Sequence, residues 1–135
     1  MRPGRSLAKK RLEEYPILGA MLENLRLELA YYQRAKDSLP VRFGASSPLM
    51  EREAARIDSL IAGVSLRIDW GELQRAEIEN ALQALPARER ELLARCYFEG
   101  QELGEAADAL GCSERMARDY RAAALDKVAA MIGGS

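Results

Sequence analysis

Apolar residues recur at alternating steps of three and four along two stretches in the first half of the chain. These two stretches comprise Tyr15, Leu18, Leu22, Leu25, Leu29 and Tyr32, followed by Met50, Ala54, Ile57, Ile61, Val64 and Ile68. Such spacing places the apolar side chains on one face of a helix, as in coiled coils. Residues 38–48 lie between the stretches and contain two prolines and a glycine, so they are predicted to form a loop.

Two apolar faces joined by a loop predict an antiparallel hairpin of two long helices. Pro16 predicts that the first helix begins near that residue and extends to about residue 38, and a short helix could precede it. The second helix is predicted from about residue 48 to about residue 84, and Gly71 is where it could bend. We assign residues 1–80 to this hairpin, as an oligomerisation region that starts with a basic N-terminal arm.

Residues 103–121 predict a helix, a tight turn and a second helix. The first helix has an apolar face formed by Leu103, Ala106, Ala107 and Leu110. Ala107 is small enough for the second helix to cross closely, and Cys112 is predicted to point inward. Gly111 follows, where helices often end in a left-handed residue, and Ser113 is a suitable N-cap. This is the pattern of a helix-turn-helix, although an ordinary helix pair with a solvated charged face is the alternative.

The outer face of the second helix carries the candidate DNA-binding residues. They are Ser113, Glu114, Arg115, Arg118, Asp119, Arg121 and Lys127. In a helix-turn-helix this helix enters the major groove of double-stranded DNA. Arg115 and Arg118 are the candidates for guanine, because one guanidinium can donate to two acceptors on a guanine edge.

The remaining candidates have other predicted roles at the same surface. Ser113, Arg121 and Lys127 are placed for contacts with phosphate. Glu114 or Asp119 could accept a hydrogen bond from cytosine, or could orient an arginine.

Composition and charge limit the classes of function that the chain can have. The chain has 135 residues, 48% of them hydrophobic, and a formal net charge of −1, which lacks the usual basic footprint of a DNA-binding protein. Residues 1–11 are nevertheless basic, through Arg2, Arg5, Lys9, Lys10 and Arg11. We find no signal peptide, no apolar run that could span a membrane, no phosphate-binding loop and no catalytic residue set, so we expect a cytoplasmic protein that is not an enzyme.

Without histidine or a cysteine cluster, a metal site is not expected, and no cofactor is predicted. The two cysteines, Cys96 and Cys112, lie on apolar helical faces and are expected to be reduced core residues.

Residues 82–90 read Leu-x-x-Leu-Pro-x-Arg-Glu-Arg, and a Tyr-Phe-x-Gly turn follows at residues 97–100. Together with the helix-turn-helix, these landmarks resemble region four of bacterial primary sigma factors, over about residues 82–132. The resemblance implies a promoter-reading, DNA-binding domain, which we assign to residues 81–135. The chain departs from the family in Ala106-Ala107, where an Ile-Ala pair is common, and in the acidic Glu114 and Asp119.

The order of segments along the whole chain resembles the RinA/ArpU group of small phage transcriptional regulators. A basic start, Glu14-Tyr15-Pro16, a long helix, a Pro/Gly loop and a Met-Glu-Arg-Glu helix precede the sigma-like end. This resemblance implies a phage or prophage activator of late genes that works beside bacterial RNA polymerase.

Leu27, Leu60 and Leu66 lie off the two apolar faces and predict a homodimer or higher homo-oligomer, with packing inside the chain as the alternative.

The acidic residues from Glu99 to Asp108 favour a second function, an adaptor that binds RNA polymerase or another regulator and contacts DNA only secondarily. A third possibility is a phage small terminase subunit, although those proteins usually place the DNA-binding element first.

Overall fold

The computed structural model describes residues 3–133, and over that range the chain is helical, without strands. Three helices form the first part: α1 (Pro3–Asp37), α2 (Leu39–Phe43) and α3 (Pro48–Gln83). The second part contains α4 (Ala87–Leu93), a π-helical turn (Ala94–Phe98), α5 (Leu103–Leu110) and α6 (Glu114–Met131). The predicted all-α class, a long-helix hairpin followed by a helix-turn-helix, is confirmed. None of the described helices combines the length and the apolar character that crossing a membrane requires.

The chain packs as two compact units, and both long helices contribute to each of them. One unit contains residues 18–73, and the other contains the described parts of residues 1–17 and 74–135. This division differs from the predicted boundary at residues 80 and 81. The apolar face of α1 continues toward its start through Ala8 and Leu12, which are fully buried in the unit that contains α4, α5 and α6.

Residues 18–73 form an antiparallel helix pair. Leu22 and Leu25 of α1 pack against Val64 and Ile68 of α3, and Leu29 and Tyr32 cover this core. Ion pairs mark the direction of the helices, since Arg26 Nη2 lies 2.9 Å from Glu72 Oε1 and Lys36 Nζ lies 2.6 Å from Asp58 Oδ1. Residues later in α1 therefore pair with residues earlier in α3, as expected for antiparallel helices. The seams predicted from the sequence are the buried faces.

The segment around Pro16 differs from the prediction, because α1 passes through this residue instead of beginning there. Proline removes one helical hydrogen bond, but buried Leu12 and Leu18 on either side hold the backbone helical. The predicted loop also contains α2, a short helix with Pro40 in its first turn and Leu39 buried. Proline fits there because the first-turn N–H groups of a helix have no helical partner.

The predicted basic arm is part of α1. Arg5 Nε and Nη2 donate to Asp126 of α6 at 2.9 and 2.7 Å, and Arg11 Nη2 lies 3.4 Å from Glu77 of α3. Arg2, which belonged to the same prediction, lies outside the described residues. The start of α1 is therefore a packed helix rather than a free arm over residues 3–11.

Gly71 lies inside α3 and does not interrupt it. A Cβ atom at this position would lie 2.8 Å from Cδ2 of Leu22, which is fully buried. A larger residue at position 71 would therefore displace the buried side chain of Leu22. Gly63 of the same helix has no such neighbour within 4 Å.

We expect Gly63→Ala to raise the free energy of unfolding by about 0.5–1 kcal/mol, because glycine inside a helix costs backbone entropy. Gly71→Ala should be less stable than Gly63→Ala by about 1–3 kcal/mol, because the buried Leu22 side chain must shift to admit the new methyl group. Urea denaturation of the two variants measures this difference. Equal stability of the two alanine variants would contradict the close contact at Gly71.

Candidate nucleic-acid interface

The turn between α5 and α6 follows from the backbone freedom of one glycine. Gly111 adopts φ 71° and ψ 34°, the left-handed conformation expected after a helix. The N–H of Cys112 then donates to the carbonyl of Ala107 at 3.0 Å and satisfies the end of α5. Ser113 is the N-cap of α6, and its hydroxyl accepts a hydrogen bond from Met116 N at 3.1 Å. The helix boundaries predicted at these residues are confirmed.

Small side chains fill the crossing of α5 and α6. Ala106, Ala107 and Ala117 are fully buried together with Leu92 of α4. Cys112 is partly buried against this cluster, as predicted. Alanine at these positions lets the two helix backbones approach closely where the start of α6 crosses α5.

The buried side of α6 fixes which residues face outward. Ala117, Ala124 and Val128 lie in the core, whereas the opposite face at the start of the helix is exposed. Most of the predicted DNA-binding residues share this exposed face, namely Ser113, Glu114, Arg115, Arg118 and Asp119. The structure therefore places them on one surface over the first two turns of α6.

Arg118 is held only loosely on this surface. Its Nη2 lies 4.0 Å from Glu114 Oε1, and both side chains are about 60% exposed to solvent. An exposed pair at this distance contributes little to stability. The guanidinium is therefore available to another partner.

Arg121 differs from the other candidates, because it is half-buried and lies beside Cys96 and Tyr97. Burial raises the pKa of both the Cys96 thiol and the Tyr97 hydroxyl, and the positive charge of Arg121 offsets part of that rise. Both groups are consequently neutral at pH 7. These two groups therefore do not neutralise the positive charge of Arg121.

Lys127 has a carboxylate partner inside the protein. Its Nζ lies 3.0 and 2.8 Å from the two carboxylate oxygens of Glu89, whose side chain is buried in α4. A buried carboxylate is costly without such a partner. A phosphate contact by Lys127, as predicted from the sequence, would have to compete with this pair.

The Arg-Glu-Arg triplet in α4 connects three parts of the unit, which the sequence did not reveal. The Arg88 guanidinium lies over the ring of Tyr120 in α6, 5.6 Å from its centroid, whereas Glu89 holds Lys127. Arg90 donates to the carbonyl of Leu82 in the last turn of α3 and to that of Leu85 just after this helix, both at 3.1 Å. The triplet was recognised as a landmark, but its contacts are spread over segments far apart in sequence.

Comparison with known proteins supports the assignment of the C-terminal region. The family model described as Sigma-70, region 4 matches residues 75–128, which is less than half of the chain. No curated protein and no solved structure matches the chain. The match confirms the sigma-like helix-turn-helix, whereas the resemblance to the RinA/ArpU group stays a prediction. Residues 75–128 are therefore similar to a DNA-binding, sigma-70 region 4 type of helix-turn-helix.

Proposed function

We propose that the chain is a sequence-specific transcriptional regulator that binds double-stranded DNA through α6. The observation that carries this proposal is the exposed start of α6, where Arg115 and Arg118 project from a helix packed as in a helix-turn-helix. The match of residues 75–128 to sigma-70 region 4 supports the same function.

The spacing of the two arginines suits the reading of neighbouring base pairs. Arg115 and Arg118 lie three residues apart, so their Cα atoms are separated by about 4.5 Å along the helix axis. Base pairs in DNA are stacked about 3.4 Å apart. Each guanidinium can donate to N7 and O6 of a guanine, and Glu114 or Asp119 can accept from a cytosine amine. Glu114 can instead orient Arg118, to which it is already near.

Phosphate contacts position such a helix without reading sequence. Ser113 accepts the capping bond from Met116, and its hydroxyl proton is free to be donated to a phosphate oxygen. The low net charge of the chain predicts a modest affinity for DNA. Acidic side chains of this unit are partly compensated, since Asp126 pairs with Arg5 and Glu89 pairs with Lys127.

We also propose that the chain forms a homodimer through residues 18–73. Leu66, Trp70 and Leu73 of α3 are 71, 62 and 50% exposed and line a concavity of about 450 Å³ together with Arg67 and Asp69. Exposed apolar patches of this kind usually mark interaction sites. Arg67 and Asp69 flank the patch with opposite charges, and Arg67 lies 3.8 Å from Glu28 of its own chain in an exposed, weak pair. Two copies related by a twofold axis could exchange that pair for one between arginine and aspartate. A dimer would present two recognition helices to half-sites about 34 Å apart.

The biological setting belongs to the same proposal. The order of segments, with Glu14-Tyr15-Pro16 before a long helix and a sigma-like end, supports a phage or prophage regulator of late genes. Such a protein would act in the bacterial cytoplasm, beside RNA polymerase.

A second candidate function is an adaptor that binds RNA polymerase or another regulator. It is favoured by the exposed acidic side chains of Glu99, Glu102, Glu105 and Asp108 at the start of the helix-turn-helix. Binding to polymerase that survives nuclease treatment, without a shift of any promoter fragment, would select the adaptor over the DNA-binding regulator.

We expect Arg118→Ala to weaken binding to the cognate DNA by about 1–3 kcal/mol and to relax the preference for one base pair, because a bidentate guanine contact is lost. Arg115→Ala should act in the same way at a neighbouring position. Cognate fragments are first selected from the source genome, and fluorescence titration at fixed salt then measures the affinity for each base substitution.

The matched control for both variants is Arg52→Ala, which removes an exposed arginine from α3 in the other unit. It should leave both affinity and base preference unchanged. Unaltered binding by the Arg115/Arg118 double variant would exclude α6 as the reading helix.

For the dimer, we expect Trp70→Lys to convert the protein to a monomer, because a charge would be buried at the centre of the interface. Val41→Lys is the control, since Val41 is 90% exposed and lies in α2, away from the α3 patch in sequence. Light scattering measures the mass of each variant. An unchanged dimer with Trp70→Lys would exclude this interface, and a ring of many wild-type copies would instead favour a small terminase.

A further inference from the structure

The start of α1 packs against the second half of α6, which no sequence pattern indicated. Arg5 holds Asp126 through two hydrogen bonds, and a Cβ atom at Gly4 would lie 3.4 Å from Cβ of Ala129. Ala8 and Leu12 join Leu125 in one buried cluster. The outward face of the first two turns of α6 remains exposed, so α1 lies beside the recognition helix without covering its base-reading end.

A concavity of about 150 Å³ lies between these two helices. It is lined by four basic side chains, from Arg5 and Lys9 of α1 and from Arg118 and Arg121 of α6. Its remaining lining is formed by Tyr97, Ala122 and Leu125. Two elements far apart in the sequence thus direct positive charge to one place.

The acidic groups nearby compensate this charge only in part. Asp126 holds Arg5, and Glu114 lies 4.0 Å from Arg118. Glu13 of α1 is close enough to Tyr97 to influence its hydroxyl. Lys9 is exposed and forms no ion pair with any described residue, and Arg121 faces the neutral side chains of Cys96 and Tyr97. The concavity therefore keeps the positive charge of Lys9 and Arg121.

The volume of the concavity limits the size of the ligand that can bind in it. Sites for small organic ligands usually have volumes of about 300–1,000 Å³, so this concavity is too small for a nucleotide or a similar molecule. A single tetrahedral oxyanion fits, and several converging N–H donors are what such a group requires.

We propose that this basic concavity binds one backbone phosphate of the DNA duplex whose major groove α6 enters. The inference rests on the proposed function, because Arg118 then borders both the base-reading face and the concavity. DNA is favoured over free phosphate because the site opens beside the reading face of α6. The start of α1 is thus part of the DNA-binding surface, with Lys9 as its contact to phosphate.

The test compares Lys9→Gln with Lys10→Gln. Both residues are exposed, adjacent in α1 and equal in charge, but only Lys9 lines the concavity. The affinity of the full chain for its selected DNA fragment and for an unrelated duplex is measured over a range of potassium chloride concentrations.

Loss of one phosphate contact should reduce the slope of log affinity against log salt by about 0.9. An increase in salt from about 50 to 200 mM weakens DNA binding by the wild type. The same increase should weaken binding by Lys9→Gln by a factor about three times smaller. The change should be the same for both duplexes, whereas Lys10→Gln should keep the wild-type slope. Thermal unfolding of the two variants confirms that they are equally folded.

Equal slopes for Lys9→Gln and Lys10→Gln would overturn the inference and leave DNA binding by α6 intact. A wild-type chain that binds neither duplex would overturn the proposed function and, with it, DNA as the occupant. In a separate arm, inorganic phosphate is titrated while the amide resonances of Tyr97 and Ala122 are observed. Shifts there, combined with an unchanged DNA slope in Lys9→Gln, would assign the site to a free oxyanion and overturn the DNA contact.

Discussion

The packing of three alanines at the crossing of α5 and α6 is the constraint on which the candidate site depends. Ala106, Ala107 and Ala117 are fully buried against one another and Leu92. Larger side chains would separate the helices, and overpacking of this kind typically costs about 1–3 kcal/mol. Because the buried stripe of α6 fixes its rotation, the exposure of Arg115 and Arg118 is a consequence of this contact. The surface that reads DNA in the proposed function is therefore set by residues that touch no ligand.

The triplet Arg88-Glu89-Arg90 adds polar contacts that orient α4 relative to its neighbours. Arg90 satisfies carbonyl groups at the end of α3, and Glu89 binds Lys127 of α6 from a buried position. Loss of the lysine would leave a buried carboxylate unpaired, at a cost of about 1–3 kcal/mol. Lys127, although it lies on the helix proposed to bind DNA, thus has a demonstrable structural role.

Local sequence patterns were sufficient for the apolar seams of the long helices and for the turn, but not for the start of α1, for α2 or for contacts between distant segments. The seams through Leu22 and Val64 follow from periodicity, and the turn at Gly111 follows from backbone sterics. By contrast, Arg5 and Asp126 are 121 residues apart, and no local rule brings them together. The π-helical turn was equally hidden from local patterns, and its side chains divide between two cores, Cys96 in one and Tyr97 and Phe98 in the other. The interpretation as an arm failed over residues 3–11 for the same reason, since the burial of Ala8 and Leu12 depends on tertiary packing.

The exposed side chains favour different roles for the two units, self-association for one and DNA binding for the other. Residues 18–73 carry the exposed apolar patch around Trp70, and the unit with α6 exposes Arg115 and Arg118 at the start of that helix. For a chain with a net charge of −1, a single recognition helix would bind DNA weakly. Association through the apolar patch would compensate, because the second helix of a dimer binds at a high effective concentration once the first is bound. In the proposed function, affinity would then arise from the pairing of two copies through the patch around Trp70, and base preference would arise from α6.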